Sequence, residues 1–241
     1  MKHISAIIFG LSIILASVFL GNAYVKRANP PQVISVTGLG TQNFSSDLIV
    51  WEGTFITFNS DLQSAFEKLN NDKEVVDQYL KSKGVAASSI IFNSVQTMEQ
   101  RDNKYESGNY VGSIFRGYEL SQSVQIESTD VAKIEQVARE ITELLNKGVQ
   151  FTSPPPRYYY TKMADLKIEM ISKATEDARI RAEKIAENSG GKLGELISAR
   201  MGVFQITGQN SDEAYSWGGA YNTSAKKKTA SITMRLEYRV N

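Results

Sequence analysis

Glu99, Arg101, Asp102, Lys104 and Glu106 crowd one polar stretch of the chain. Two carboxylates on either side of a scissile bond can serve as acid and base in glycan hydrolysis. Here the signs are mixed residue by residue, which is the pattern of a solvated tip rather than of a paired-acid cleft. The one histidine is His3 and there is no cysteine. Beyond the first few residues the commonest proton shuttle and the thiolate and imidazole metal ligands are therefore missing. Peroxide reduction by a thiol is excluded outright. The sequence assigns no catalytic, cofactor-binding or metal-binding residue, and no cofactor.

Contact chemistry is better represented. Tyr158, Tyr159 and Tyr160 follow Pro154-Pro155-Pro156, and Trp217 and Tyr221 stand in an otherwise polar, glycine-rich stretch. Aromatic faces bind sugar rings, peptide side chains or a neighbouring subunit, and these five residues form the expected partner or assembly surface. The tyrosines are read rather as packing a helix entrance against a sheet or a neighbouring subunit, and the prolines as a stiff link rather than a polyproline ligand. Lys226, Lys227 and Lys228 read as a solvated, edge-protecting run rather than a phosphate site. Across the chain 27 basic residues face 26 acidic ones, for a net charge of +1. Losing Lys2 with a cleaved leader brings that to zero, which leaves no field to gather nucleic acid.

The elements that must hold these groups begin after an uncharged apolar run from Ile4 to Val25, behind Lys2 and His3. As helix this run reaches roughly 33 Å, against about 30 Å for a bilayer core. Residues 1–27 are read as a signal-anchor helix or, with Gly21-Asn22-Ala23 as a small-x-small cleavage site, as a signal peptide. Lys2 on one side and Lys26 and Arg27 on the other leave the orientation open. The expected location is periplasmic or otherwise extracytoplasmic, with the membrane a partner through this segment. Residues 28–32, with Pro30 and Pro31, form a stiff spacer.

Past the spacer, strands are predicted over 33–39 and 47–59, with Gly38 and Gly40 at the turn between them. Gly38-Leu39-Gly40 lacks the third glycine and the Lys-Ser/Thr ending of a phosphate loop. Ser60 and Gln63 form a capping box for a helix running to Gly84, its apolar face made by Leu62, Phe66, Leu69, Val76, Tyr79 and Leu80. Strands follow over 89–100 and 110–127, joined by a long polar hairpin tip at 101–109. Ser128 or Thr129 opens a second helix bearing Val131, Ile134, Val137 or Ala138, Ile141 and Leu145, which stops at Gly148. The longest helix comes after the tyrosines, and its stripe of Leu166, Met170, Ala174, Ala178, Ala182 and Ile185 passes from large to small residues. Two final strands, 193–207 and 228–240, flank a loop at 208–227 that is read as mobile because of its length. The sum is an α+β fold: a mostly antiparallel sheet with three helices packed on one face, order ββαββααββ, behind an N-terminal apolar helix.

Four segments carry a resemblance: Ile34-Ser35-Val36-Thr37-Gly38, the strand Gly117 to Ile126, the helix, turn and strand from Ala174 to Ile197, and the closing run Ala230 to Tyr238. In this order, from about Val33 to the C-terminus, the chain resembles the SIMPL domain family. The resemblance implies an extracytoplasmic bacterial protein with a signal peptide or N-terminal anchor. Relatives in that family include periplasmic immunogenic proteins that assemble into large ring- or barrel-like oligomers, a protein linked to oxidative-stress defence and a mammalian kinase-associated adaptor. The family has no established catalytic residues, so none transfer. The turn after the first strand departs from the acidic or proline-containing form common there, reading Thr41-Gln42-Asn43-Phe44-Ser45-Ser46-Asp47.

The expected function is a non-enzymatic assembly or binding protein of the cell envelope. It is expected to be homo-oligomeric, with an envelope protein or glycan as a further partner and any part in stress defence indirect. Two other classes fit the composition. A carboxylate-dependent hydrolase of cell-wall glycans would show two carboxylates about 5 to 9.5 Å apart in a cleft, and a small-ligand carrier would show a deep apolar pocket.

Overall fold

The computed structural model describes residues 2–28 and 32–241, with side chains from Phe9 to Val25 and from Gln32 onward. The predicted spacer residues Asn29, Pro30 and Pro31 lie outside the described residues. Helix α1 spans Lys2–Ala28, and its large apolar side chains, Phe9, Ile14, Phe19 and Leu20 among them, are exposed. Among the described residues no helix is long and apolar enough to cross a membrane. The chain divides into two compact units, one of Met1–Gly40, Met170–Val203 and Ile232–Asn241, the other of Thr41–Glu169 and Phe204–Ser231.

The first unit is built on the close approach of a strand and a helix. Strand β1 (Val33–Ser45) carries Gly38 and Gly40 in its interior, not at a turn as the pattern predicts. The reason is helix α4 (Met163–Asn188). A Cβ on Gly38 would stand 2.2 Å from the Ala174 carbonyl oxygen and 2.4 Å from the Ala178 nitrogen, and one on Gly40 would stand 2.5 Å from the Met170 carbonyl oxygen. The helix answers with Ala174, Ala178, Ala182 and Ala186, all buried. The stripe thus ends on Ala186, four residues after Ala182, and leaves the predicted Ile185 exposed. Asp177 locks the contact: its Oδ2 accepts from the Leu39 N–H at 2.8 Å. That bond holds its carboxyl below the usual range, with Arg181 adding to it. Strand β8 (Leu193–Met201) runs antiparallel to β10 (Lys227–Val240), with Met234 opposite Met201 and Val240 opposite Leu193.

The second unit is organised by β2 (Leu48–Asn59) and β5 (Asn109–Ser128), paired antiparallel from Ile49 opposite Ser128 to Asn59 opposite Tyr118. Alternation turns Ile49, Trp51 and Phe55 of β2 and Leu120, Val124 and Ile126 of β5 into the core. Covering them are α2 (Leu62–Ser82) and α3 (Val131–Glu140), the latter continued by a 3₁₀ turn, Ile141–Lys147, that ends at left-handed Gly148. The Trp51 indole N–H donates to Ser153 Oγ at 3.0 Å and the ring stacks on Phe151 at 5.9 Å. Strands β3 (Ile90–Phe92), β6 (Gln150–Thr152) and β7 (Arg157–Tyr159) complete the sheet together with β4 (Gln96–Glu106).

Several expectations change in detail. Four α-helices are present among the described residues, and the three after α1 do not gather on one face: α2 and α3 contact β2 and β5, while the alanine stripe of α4 meets β1. Both helix caps are aspartates, not the predicted hydroxyls. Asp61 accepts from the Ser64 N–H at 2.8 Å and Asp130 from the Lys133 N–H at 3.1 Å. A carboxylate wins these positions because it adds a charge to the positive end of the helix; the same bonds hold both carboxyls below the usual range. On α2, Leu62 and Phe66 are exposed, and Ala65 and Asp72 take the buried positions. The predicted strand over 193–207 is broken into β8 and β9 (Gln205–Gly208). The polar stretch 101–109 is strand almost to its end, and the turn is only Ser107-Gly108, at φ 49° and 81°. Positive φ at both positions is the type I′ geometry that matches strand twist.

The contact of β1 with α4 yields a test. A Gly38→Ala methyl meets backbone that can yield only by moving the helix, and is expected to cost about 3 kcal/mol. Gly218→Ala, which points into open space, should be near neutral. Urea unfolding of both variants decides the matter.

Candidate interaction surface

Strand β7 seats the first two tyrosines on the second unit's sheet, Tyr158 opposite Ile49 and Tyr159 opposite Leu48. The three prolines before them join β6 to β7, both of which pair with β2, so they act as a stiff link and not as a free ligand. They border a groove of 280 Å³ together with Glu135, Arg139 and Tyr158. The Tyr158 hydroxyl donates to Glu135 Oε1 at 3.0 Å. Burial, then that carboxylate, pushes the phenol up to about 12. Lys226 donates to the other Glu135 oxygen at 2.9 Å. Burial alone would raise the Glu135 carboxyl, but these two donors outweigh it and hold it below the usual range. The Tyr160 ring packs on Phe44 with centroids 4.8 Å apart. Tyr158 and Tyr160 are thus committed to contacts within the fold.

The long loop between β9 and β10 lies beside them. The Tyr158 N–H donates to the Thr223 carbonyl at 2.7 Å, and Tyr159 lies close enough to add to the burial that raises the Tyr221 phenol. Inside the loop the principal tie is Gln205, which is buried. Its Oε1 accepts from Ser216 N at 3.2 Å and Ala220 N at 2.7 Å, and its Nε2 donates to the Ser216 carbonyl at 2.8 Å. Glu213 accepts from the Gly208 N–H at 2.9 Å and from the Asn222 amide, and Asn222 in turn accepts from the Ala225 N–H at 2.7 Å. A parallel bridge joins Ile206 to Tyr221. Between the two shoulders held by Gln205 stands Trp217, 100% exposed, with Tyr215 and Tyr221 also open to solvent. The five predicted contact residues therefore fall in one unit, and the two segments that carry them are hydrogen-bonded together. Trp217 and Tyr221 face outward; Tyr158 and Tyr160 serve as support.

The lysine run needs correcting. Only Lys227 is exposed as a solvated edge residue. Lys226 is spent on Glu135, and Lys228 is 1% exposed. The Lys228 amine donates to the carbonyl oxygens of Tyr158, at 3.1 Å, and Ala225. Burial pulls it down to about 8, against an opposing pull from Glu213. Neither Gln205 nor Lys228 was identifiable as a functional support in the sequence, since a lone amide and a lysine in a basic run give no sign of burial.

Proton chemistry finds little here. Arg101 pairs with Glu99 at 2.9 Å, Lys104 with Glu106 at 2.7 Å and Arg116 with Asp102, all on exposed strand. Glu140 and Glu143 share Lys83 at 2.8 and 3.0 Å. The carboxyls displaced from their ordinary range, Asp61, Asp130, Glu135, Glu140 and Asp177, are all held low, the opposite of what a general acid needs. Among the described residues no group of three or more His, Cys, Asp or Glu side chains could hold a metal ion.

The buried amine sets a pH dependence. Lysine titrates at 10.5 when free and at about 8 here, so between these values unfolding takes up a proton. Stability should rise as the pH climbs through that window, by up to about 3 kcal/mol, with the full cost of the buried charge present below pH 8. Lys228→Met should flatten the rise in denaturant unfolding measured from about pH 7 to 10. A variant that keeps the original slope would exclude the amine as its source.

No curated protein matches the chain. Residues 34–241 match the family model for SIMPL, described as a protein of unknown function (DUF541). That span takes in the described strands, β1 from its second residue, and the three helices that follow α1. The chain belongs to the SIMPL family.

Proposed function

We propose that this chain is a non-enzymatic contact protein of the cell envelope, carried to an extracytoplasmic location by its N-terminal segment. It works by associating with itself and by binding envelope protein or glycan. The observation that carries the reading is Trp217. An indole is the largest apolar side chain available, and leaving it wholly in water forgoes its burial energy until something covers it. Gln205 fixes the backbone on both sides of it, so little ordering entropy is lost when a partner arrives. The exposed apolar side chains between Phe9 and Val25 of α1 support the location, because apolar surface is more stable out of water.

The other classes draw less support. A glycan hydrolase needs a carboxyl held high as proton donor, and the displaced carboxyls all move down. A carrier needs apolar walls, whereas the 390 Å³ groove beside β2 is bordered by Asn59, Lys68, Asp72 and Gln150 as well as by Ile56 and Phe58.

Fluorescence tests the reading directly. The chain has two tryptophans, of which Trp51 is buried, so changes in emission report on Trp217. Adding purified cell-wall sacculi or envelope vesicles, or raising the protein concentration, should shift the emission to the blue. Trp217→Phe should abolish the shift, and Gln205→Ala should weaken the association several-fold. Protease added outside spheroplasts should digest the region 33–241. A water-exposed emission under every condition, with that region protected inside the cell, would defeat the proposal.

A further inference from the structure

Strand β5 outlasts its partner β2, which ends at Asn59 opposite Tyr118. From Gly117 outward the described pairing of β5 is with β4, and the two form a ribbon closed by Ser107-Gly108. Arg116 and Val111 are bulged out of β5, while β4 keeps an unbroken alternation. One face of the ribbon bears Tyr105 against Tyr110 at 5.9 Å, Phe115 against Tyr118 at 5.2 Å, and Arg101 over the Phe115 ring at 5.7 Å. The other bears Met98, Ile114, Asp102 and Lys104. Met98, Tyr105, Tyr110, Val111, Ile114 and Phe115 are all exposed. A two-stranded ribbon is marginal in water by itself, and its open edge is a template for a further strand.

The edge of β4 selects that strand. The closing pair of a two-residue hairpin, Glu106 with Asn109, exchanges both backbone hydrogen bonds. Alternation then leaves the N–H and C=O groups of Tyr105, Asn103 and Arg101 pointing away from β5. A second β4, antiparallel about a two-fold axis normal to the ribbon, keeps like faces together and can be centred on few residues. Centring on Arg101, Asp102 or Lys104 sets like charges opposite each other. Centring on Gln100 sets Glu99 opposite Arg101, a pair already made within one chain. Centring on Asn103 sets Asp102 opposite the second copy's Lys104, Arg101 opposite its Tyr105 and Gln100 opposite its Glu106, so the whole projecting part of β4 is in register.

We infer that two copies of this chain join by antiparallel pairing of their β4 edges about Asn103. The two ribbons become one four-stranded sheet whose aromatic faces lie on the same side. The inference rests on the self-association reading and gives it a site. The absence of cysteine from the chain makes the test unambiguous. A directly opposed antiparallel pair has Cα atoms about 5.5 Å apart, within disulfide range. Full-length Asn103→Cys should therefore give a covalent dimer on oxidation. Gln100→Cys, about 20 Å from its mate at the strand rise per residue, should not, but should cross-link with co-expressed Glu106→Cys. Asp102→Lys should cut the Asn103→Cys dimer yield at least tenfold, and adding Lys104→Asp should restore it. An oligomeric mass by light scattering without the cross-link at 103, or with equal cross-linking at 100 and 103, overturns this pairing and leaves assembly standing. A monomer at every concentration overturns both.

Discussion

Strand β5 has 20 residues and β2 has 12, and this mismatch shapes the second unit. Each backbone donor and acceptor removed from water needs a partner, and β2 supplies them only as far as Asn59. There the chain leaves the sheet to enter α2 through the Asp61 cap. Gly117 marks the point of departure on β5. Its φ of 148° and its proximity to the Asn59 carbonyl, 2.5 Å from where a Cβ would be, leave room for no side chain. Past that point β5 keeps its strand geometry only because β4 folds back along it. The exposed ribbon is thus a consequence of where the core stops.

The two units solve the problem of close packing by different means. In the first, side chains are removed: glycines on β1 and alanines on α4 let backbone meet backbone, and a single carboxylate, Asp177, bridges the contact. In the second, the loop after β9 has few apolar residues to bury. Its order comes from polar side chains turned inward, Gln205 toward Ser216 and Ala220 and Lys228 toward two carbonyls. Each buried polar group is costly unless satisfied, so these ties are all or nothing. The Lys228 amine, with carbonyls and no bonded carboxylate, is the most expensive of them.

Much of the architecture was legible in the sequence because it rests on periodicity. The stripe on α4 as far as Ala182, the alternation of β2 and β10, and the stop at Gly148 follow from local rules, and the structure keeps them. What was not legible depends on distant partners. Gly38 and Gly40 look like turn residues until α4 is laid on them. Leu62 and Phe66 fit the helical pattern yet miss the core, because the sheet meets the face bearing Ala65, Leu69 and Asp72. The polar residues at 101–109 resemble a loop since a ribbon with no core beneath it has no apolar alternation to display. At the candidate surface, which of the aromatic residues face solvent was not legible. That depends on hydrogen bonds accepted by Glu135 and made by Gln205 and Lys228, and no local pattern encodes the burial of the last two.

Where a protein leaves its free energy unspent indicates where it acts. The charges here are largely consumed internally: Glu135 by Tyr158 and Lys226, Glu140 and Glu143 by Lys83, Asp177 by Leu39 and Arg181. The exposed apolar surface is not consumed. It sits on α1, on Trp217 and on the aromatic face of the ribbon, three places held by different parts of the chain. Scattered apolar side chains on a surface are ordinary, but Trp217 lies on a loop clamped at both shoulders and the ribbon aromatics on a strand pair with an open edge. Each support keeps its apolar group from collapsing onto the chain's own core. Covering the clamped indole or the ribbon face would release free energy without loosening any contact of the core.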